Sequence, residues 1–300
     1  MNHTRILILI CSTLIFVFIA AFSAFAQQYK GLYVDAFDKI LGDKAKEDSL
    51  LNYCKVNGFN ALTTYKTKDI AVKYKITKAS NGSNVLAAFI KRAKRDFNIV
   101  SFAMSSEQFS TFANIVSVYN NSRKDTTERV NAFNFEFEYW NPHSTAPDGY
   151  YCKKYLKAAG CSCDTAGAFL FYRRQLTELA KLAGEQQVKL EVYVGKPTEG
   201  QAQVIAKLVN RLLLDCYLKD PAKGYKRATQ RLSYFNSAGT SLQVIPIWGS
   251  TNEFMGLWQK QHTLQEADSL FLNDFQKELS AYPNLSIAGF QWYKYSTMKK

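Results

Sequence analysis

The sequence predicts an α/β fold, a (β/α)8 TIM barrel in a single domain, from the order of its elements and from its length. Eight short runs rich in β-branched and aromatic residues alternate with segments whose apolar residues recur at helical spacing, which is typical of a parallel sheet. Eight such units in about 270 residues match the size of a barrel. Tandem nucleotide-binding halves are the alternative, but the first run leads into VDAFDKILGDKAKED, which lacks the glycine-rich phosphate turn that such halves need.

The predicted elements follow one another along the whole chain. In chain order, the strands are 30–37, 59–65, 97–105, 130–140, 188–195, 211–218, 242–249 and 287–295. Amphipathic segments such as EDSLLNYCKVNG and NVLAAFIKRAKRDF lie between them, and Gly58 and Gly184 stand where the residue that ends a helix is expected. The longest irregular stretch, roughly 141–164, follows the fourth strand, so we expect it on the carboxyl-terminal face of the barrel, where active sites are built.

The first 26 residues are predicted to be a secretory signal peptide, which leaves residues 27–300 for the barrel. A basic residue, a continuous apolar run and the small-residue sequence Ala24-Phe25-Ala26 follow one another, as they do in such signals. A single membrane anchor is the alternative, because the apolar run is about long enough to span a bilayer. We expect a secreted, periplasmic or outer-surface protein that has no membrane span after cleavage near Ala26.

Charge and cysteine content restrict the partners. The formal net charge is +13, but the basic residues are scattered as on solvated helix faces, so nucleic acid is not an expected partner. Five of the six cysteines lie beyond the signal peptide, and Cys152 with Cys161 or Cys163 would close a short loop. No metal and no cofactor is expected, since neither His143 nor His262 ends a predicted strand. We expect a monomer.

The fourth strand, in NAFNFEFEYWN (131–141), alternates between two kinds of face. One face carries Ala132, Asn134, Glu136 and Glu138, and the other carries Phe133, Phe135, Phe137 and Tyr139. In a barrel, the aromatic face packs against the helices and the polar face points into the lumen, which apolar side chains normally fill. Carboxyl groups placed there must be hydrogen-bonded, protonated or paired, so the pattern indicates function. An antiparallel strand with its polar face in solvent is the alternative.

This stretch resembles the strand-4 motif of the family 18 glycoside hydrolases, the chitinases and endo-β-N-acetylglucosaminidases, whose pattern is D-G-x-D-x-D-x-E-Y. Asn131, Ala132, Asn134 and Glu136 stand at the D, G, D and D positions, and Glu138 and Tyr139 match E and Y. The resemblance implies that Glu138 is the general acid that protonates the glycosidic oxygen. It implies that Glu136 stands in for the aspartate that holds the N-acetyl group of the substrate, whose carbonyl oxygen is the nucleophile.

The spacing of the two glutamates has a consequence of its own. Carboxyl groups at positions i and i+2 lie side by side on one face, and two like charges that close do not both ionise. One of the two pKa values should therefore rise, which provides a proton near neutral pH. This suits Glu138 as an acid.

Further residues at the ends of predicted strands complete the expected site. The resemblance implies a catalytic role for Tyr217 and gives Tyr293 the place of a strand-8 tryptophan. The candidate substrate-binding residues are Asn134, Asp35, Trp140, Asp215, Trp248, Gln291, Trp292 and Tyr293. The tryptophans would offer platforms for sugar rings, whereas Asp215 and Gln291 would orient the acetamido group. Asp35 is either a polar contact or a helix-capping carboxylate.

The expected function is hydrolysis of N-acetylglucosamine-containing glycans, of the chitin type or in the N-glycan core, by substrate-assisted retaining chemistry. Two alternatives remain open. A two-carboxylate retaining glycosidase would need a partner for Glu138 near the end of strand 7, where Glu253 is the candidate. A barrel that binds glycans without cleaving them, lectin-like or a surface accessory protein, fits the substitution of the motif aspartates by Asn131, Asn134 and Glu136.

Overall fold

The computed structural model describes residues 28–77 and 81–298, so the predicted signal peptide lies outside the described residues. The strands are β1 (Tyr29–Val34), β2 (Ala61–Thr64), β3 (Ser101–Ser106), β4 (Ala132–Phe135), β5 (Lys189–Val194), β6 (Arg211–Asp215), β7 (Leu242–Gly249), β8 (Leu285–Ile287) and β9 (Gly289–Tyr293). All pair in parallel. The sheet closes because β9 pairs with β1 and β7 pairs with β6, and the predicted (β/α)8 TIM barrel is confirmed.

The eighth barrel position is shared by β8 and β9, which both pair with β7. The break between them falls where the chain passes very close to β1. Gly289 has a φ of 150°, and a Cβ atom there would lie 1.7 Å from the carbonyl oxygen of Tyr29. Glycine is needed here because a side chain has no room beside the backbone of the first strand.

Helices cover the outside of the barrel. They are α1 (Lys44–Asn57), α2 (Thr67–Tyr74), α3 (Asn81–Asp96), α4 (109–121, with a wide turn at Phe112–Val116), α5 (Thr165–Gln186), α6 (Glu199–Ala206), α7 (Gly224–Asn236) and α8 (Leu264–Lys277), with one-turn helices at Phe37–Lys39, Thr126–Glu128, Pro142–Thr145, Cys152–Leu156, Pro221–Lys223, Trp258–Lys260, Leu279–Ala281 and Tyr295–Thr297. Within the described ranges, no helix combines the length and the hydropathy of a membrane span.

The two helix ends predicted from glycines have different outcomes. Gly58 ends α1 in the left-handed conformation, as predicted, and Thr198 and Thr263 form capping boxes at the starts of α6 and α8. The prediction for Gly184 is wrong, because α5 continues past it to Gln186. Gln187 takes the left-handed position, and its N–H bonds the carbonyl groups of Ala183 and Gly184.

Strand β4 is shorter than predicted, yet its alternation of faces holds. The last ladder bond joins the N–H of Glu136 to the carbonyl of Ser106 at 3.0 Å, after which the chain turns. On the outer face, Phe135 stacks on Tyr172 of α5 with ring centroids 5.1 Å apart. On the inner face, Asn134 accepts a bond from Tyr33 of β1. The strand is therefore covered on both faces, and the solvent-facing antiparallel alternative is wrong.

Candidate active site

The lower lumen, at the amino-terminal ends of the strands, holds a buried ion pair. Arg211 of β6 donates from Nη1 to Oε1 of Glu191 on β5 at 2.5 Å, and the Glu191 side chain is fully buried. Arg211 also donates to Gln243 of β7 at 3.3 Å and lies over the ring of Tyr29. Burial raises the pKa of Glu191 and the charge of Arg211 opposes that rise. This carboxylate is compensated and serves the fold.

Two predicted substrate-binding residues form the layer above this pair. Gln291 accepts from the hydroxyl of Tyr29 at 2.7 Å and donates to Thr63 at 3.3 Å, and Asn134 accepts from the hydroxyl of Tyr33 at 3.0 Å. Both side chains are fully buried. We therefore correct the prediction for Gln291 and Asn134, because they lie beneath the site and support it without lining it.

Glu136 lies at the carboxyl-terminal end of the lumen, just past the end of β4. Two tyrosine hydroxyls hold it. Tyr33 of β1 shares its one proton between Oε1 and the Oδ1 atom of Asn134, and Tyr65, which follows β2, donates to Oε2. Burial raises the pKa of Glu136 well above its ordinary value, and the nearby charge of Glu138 raises it further. Both oxygens are thus bonded inside the protein, and the group has no counter-ion.

Glu138 is half-buried and less constrained than Glu136. The Nδ2 atom of Asn141 lies 3.4 Å from its Oε2 atom, and its backbone N–H donates to the hydroxyl of Tyr151 at 3.2 Å. Burial raises the pKa of the Glu138 carboxyl, the Asn141 amide opposes the rise, and the like charges of Asp215 and Glu107 add to it. Among the described residues, no ion pair involves Glu136 or Glu138.

Aromatic rings surround the two glutamates. Successive rings in this series lie 5.3 to 6.3 Å apart, from Tyr65 to Tyr33, Tyr293, Tyr217 and Tyr193, and Trp140 follows at 5.6 Å from Tyr193. These six residues, which we call the aromatic rim, come from the ends of strands around the barrel. Such side chains offer apolar faces together with hydroxyl groups, a combination suited to sugars.

The aromatic rim contains three predicted residues and three that were not among the predicted site residues. Tyr217, Tyr293 and Trp140 were expected at the site and are brought together here, with Trp140 packed against Gly195 beyond the end of β5. Tyr33, Tyr65 and Tyr193 are the additions. Strand alternation could have found two of them, because Tyr33 lies two residues before Asp35 and Tyr193 two residues after Glu191.

Two predicted sugar platforms lie outside the lumen. Trp248 is fully buried among helices, where its Nε1 donates to Asp268 of α8 at 2.9 Å and its ring stacks on Phe290. Trp292 is fully buried on the same outward side of its strand. The prediction that Trp248 and Trp292 contact substrate is wrong, because alternation turns both side chains toward the helices.

The predicted acids outside strand 4 lie at the mouth in different states. Asp215 at the end of β6 is half-buried, and its Oδ1 accepts the backbone N–H of Tyr217 at 2.8 Å. Asp35 accepts the N–H of Ser296 at 3.1 Å, in the one-turn helix Tyr295–Thr297, and lies 3.4 Å from Lys294. The capping alternative for Asp35 therefore describes its contacts better than substrate binding does. Glu253 is exposed.

The loop after β4 is cross-linked by a disulfide. Cys152 and Cys163 form a disulfide with a Cα–Cα distance of 5.1 Å, which selects one of the two predicted pairings, while Cys161 is a buried free thiol. Three tyrosines of this loop approach Glu107, which follows β3: the hydroxyls of Tyr155, Tyr150 and Tyr151 lie 2.6, 3.2 and 3.5 Å from its carboxylate. The loop thus adds a third carboxylate to the surroundings of Glu138.

Metal-ligating side chains and a cavity on the flank are the two further features of the described residues that bear on this site. His, Cys, Asp and Glu side chains nowhere gather in threes with the geometry of a metal site in the parts of the chain that the structure describes. A cavity of about 720 Å³ lies on the flank of the barrel between α1 and the turn before α8, with Tyr53, His262 and Tyr295 in its wall. None of the predicted site residues lines it.

Known proteins with similar structures are barrels of low sequence identity. The family 1 β-glucosidase from Thermotoga maritima matches with a TM-score of 0.53 at 10% identity, over 89% of this chain and 88% of that one. The AHE enzyme from Alicyclobacillus herbarius matches with a TM-score of 0.52 at 10% identity, over 90% and 88%. The catalytic domain of a hyperthermophilic chitinase from Pyrococcus furiosus gives 0.46 at 11% identity, over 89% and 84%.

Sequence comparison adds no family. No protein-family model and no curated protein sequence matches this chain. At identities near 10%, the likeness to solved structures shows the fold alone. That fold is the TIM barrel, which glycoside hydrolases among these structures share.

Proposed function

We propose that this protein is a glycoside hydrolase-like barrel that acts on N-acetylglucosamine-containing glycans, with Glu138 as the general acid. One observation carries the proposal: Glu138 is a half-buried carboxyl group beside the aromatic rim, with no counter-ion among the described residues. Burial and the nearby Asp215 and Glu107 favour its protonated form. A carboxylic acid that keeps its proton near neutral pH is what glycosidic bond cleavage requires.

The chemical step begins with proton transfer. Glu138 gives its proton to the glycosidic oxygen while the bond between that oxygen and the anomeric carbon breaks. The carbonyl oxygen of the substrate's acetamido group forms the new bond to the anomeric carbon. Water then opens this cyclic intermediate, and the Glu138 carboxylate takes a proton from the attacking water, which regenerates the acid. The configuration at the anomeric carbon is retained.

Glu136 supports the use of a nucleophile that belongs to the substrate. Its two oxygens accept from Tyr33 and Tyr65, so it presents no free oxygen for attack on the sugar. We infer that it acts through these tyrosines, fixing their rings beside the sugar. Asp215 and Tyr217 are joined by a bond of 2.8 Å from the Tyr217 N–H to the Asp215 carboxylate, and in this proposal they orient the acetamido group.

The decisive experiment compares two Glu→Gln variants at the same face of the barrel. Chitooligosaccharides and high-mannose N-glycans are incubated with the protein, and we expect Glu138→Gln to lower kcat by about 10²- to 10⁴-fold. Glu253→Gln is the matched control, because Glu253 is exposed and contributes nothing to the proposed mechanism. Loss of turnover in Glu253→Gln would instead favour the two-carboxylate retaining mechanism, and inversion at the anomeric carbon by NMR would refute both retaining mechanisms.

A glycan-binding barrel without catalysis is the second candidate. The observation that favours it is the state of Glu136, whose two carboxyl oxygens both contact tyrosine hydroxyls of the aromatic rim. In that case, calorimetry with the same oligosaccharides gives binding, and neither the unmodified protein nor Glu138→Gln shows turnover. Binding of none of these glycans, with no turnover, would refute both candidates.

Export belongs to the same proposal. We propose cleavage near Ala26, which would place residues 27–300 outside the cytoplasm, where the disulfide between Cys152 and Cys163 is stable. Amino-terminal sequencing of the protein recovered from the medium or periplasm tests this. An intact Met1 on the exported protein would instead support the membrane-anchor alternative.

A further inference from the structure

The backbone that carries Glu138 leaves the sheet before it reaches the acid. Its last ladder bond is made by Glu136, and β4 ends at Phe135. Past that point, local turns hold the chain, such as the bond of 3.0 Å from the Asn141 N–H to the Glu138 carbonyl. The direction of the Glu138 side chain therefore depends on contacts outside the strand.

Tyr151 makes the contacts that bear directly on this segment. Its ring stacks on Phe137, the residue before Glu138, with centroids 4.2 Å apart and planes inclined by 21°. Its hydroxyl oxygen accepts the backbone N–H of Glu138 at 3.2 Å, and its proton is directed to Glu107 at 3.5 Å. Tyr151 is buried, and the neighbouring disulfide at Cys152 closes the loop that carries it.

We propose that Tyr151 is a positioning residue, which bridges Glu107, just after β3, and the backbone of Glu138 and thereby fixes the acid at the mouth of the barrel. The proposal rests on the proposed function, since it assigns Tyr151 a role in presenting the general acid. It assigns no contact between Tyr151 and substrate. The other two tyrosines of the loop contact Glu107 and leave Glu138 untouched.

The consequence for Glu138 follows from the groups that face it. Asp215 comes from β6, Glu107 follows β3, Glu136 precedes it on its own segment, and Asn141 follows it. Without the Tyr151 hydroxyl, the backbone N–H of Glu138 loses its acceptor, and the segment is free to turn the carboxyl toward water. Greater hydration and greater distance from the other carboxylates both move the pKa of Glu138 down, toward its ordinary value.

The test compares Tyr151→Phe with Tyr150→Phe in the full mature chain. Both variants lose one hydroxyl group near Glu107, but only Tyr151 bonds Glu138, and Tyr150 is exposed. For Tyr151→Phe we expect kcat to fall about tenfold while KM changes less than twofold, because a small misplacement of an acid costs about that much. The high-pH limb of the kcat profile should move to lower pH. Tyr150→Phe should match the unmodified protein in both respects.

A carbon-13 NMR titration of the Glu138 carboxyl separates this inference from the proposed function. It reads the ionisation of Glu138 even if the protein hydrolyses none of the glycans, and it should show a lower pKa in Tyr151→Phe than in Tyr150→Phe. Equal titration curves, or a rise in KM alone, would overturn the inference. If Tyr151→Phe does not fold, hydrogen exchange of the Glu138 backbone N–H in the unmodified protein decides, because this group donates to the Tyr151 hydroxyl. Exchange as fast as that of an unbonded amide would refute the bridge.

Discussion

The two ends of the barrel lumen both hold glutamates, but they differ in how the charge is compensated. In the lower lumen, Glu191 is fully buried and paired with Arg211 at 2.5 Å. At the mouth, Glu136 and Glu138 lie two residues apart with tyrosine hydroxyls and an amide as partners, and no cation pairs with either in the described part of the chain. The carboxylate of the lower lumen therefore has a counter-ion, whereas the two at the mouth have neutral hydrogen-bond partners.

The largest expected effect comes from breaking the lower pair. Arg211→Met leaves Glu191 buried without its partner and should lower the free energy of unfolding by about 3–5 kcal/mol. Adding Glu191→Leu should restore most of that loss. By contrast, Glu138→Gln at the mouth should change stability by less than about 1 kcal/mol, since it removes no ion pair. Urea unfolding at pH 7 measures all three, and equal losses at the two ends would remove the distinction between them.

The second prediction uses pH to probe the mouth. Burial raises the pKa of Glu136 in the folded protein above its ordinary value of 4.5, so the folded state keeps a proton that the unfolded state releases. The unfolding free energy should therefore fall as pH rises from about 4.5 toward the folded-state pKa, by about 1.4 kcal/mol for each unit of the shift. Glu136→Gln should flatten this decline between pH 5 and pH 8.

Urea midpoints across that pH range give the measurement. Glu253→Gln, on the exposed loop after β7, is the control and should follow the unmodified protein at every pH. A decline that persists unchanged in Glu136→Gln would assign the pH dependence to another group, with Asp268, whose burial raises its pKa to about 7, the next to test.

The sequence was sufficient for the barrel because parallel strands, covered on both faces, must be apolar runs, and each run is followed by a helix with one apolar side. It also located the mouth, since the alternation around Glu136 and Glu138 is a local property of one strand. Strand ends were less predictable. Strand β3 begins at Ser101, four residues later than expected, because α3 runs to Asp96 and Asn98 then takes a left-handed conformation.

What the sequence could not supply is the pairing across the lumen. Tyr33 reaches Asn134 over a separation of 101 residues, and Tyr29 reaches Gln291 over 262. Which hydroxyl meets which acceptor depends on the register of every strand between them. The errors at Trp248 and Trp292 have a simpler cause: a position near a strand end does not decide whether a side chain points into the lumen, and alternation turns both of these outward.

The third prediction extends the comparison from the lumen to the flank by means of two tryptophans. Trp248→Phe removes the bond to Asp268 and leaves space under α7 and α8, so it should cost about 2–3 kcal/mol of stability without changing glycan affinity. Trp140 is half-buried at the mouth, so Trp140→Phe should lower the free energy of unfolding by less than about 1 kcal/mol and weaken glycan binding several-fold. Thermal unfolding and calorimetry separate the two, and weakened binding in Trp248→Phe alone would reverse the assignment.

The smallest expected effect tests whether the hydroxyls at the mouth replace the missing cation. Tyr65→Phe removes one of two donors to Glu136 and should lower stability by about 1 kcal/mol, the usual net value of a hydrogen bond. Tyr193→Phe is the matched control, because Tyr193 belongs to the same aromatic rim but its hydroxyl has no hydrogen bond to the described residues. The loss in Tyr65→Phe should grow as pH rises, since an ionised Glu136 needs both donors and a protonated one can donate a bond itself. A loss that is equal at pH 5 and pH 8 would mean that Glu136 keeps one ionisation state throughout, and the contrast between the two ends of the lumen would then rest on Glu138 alone.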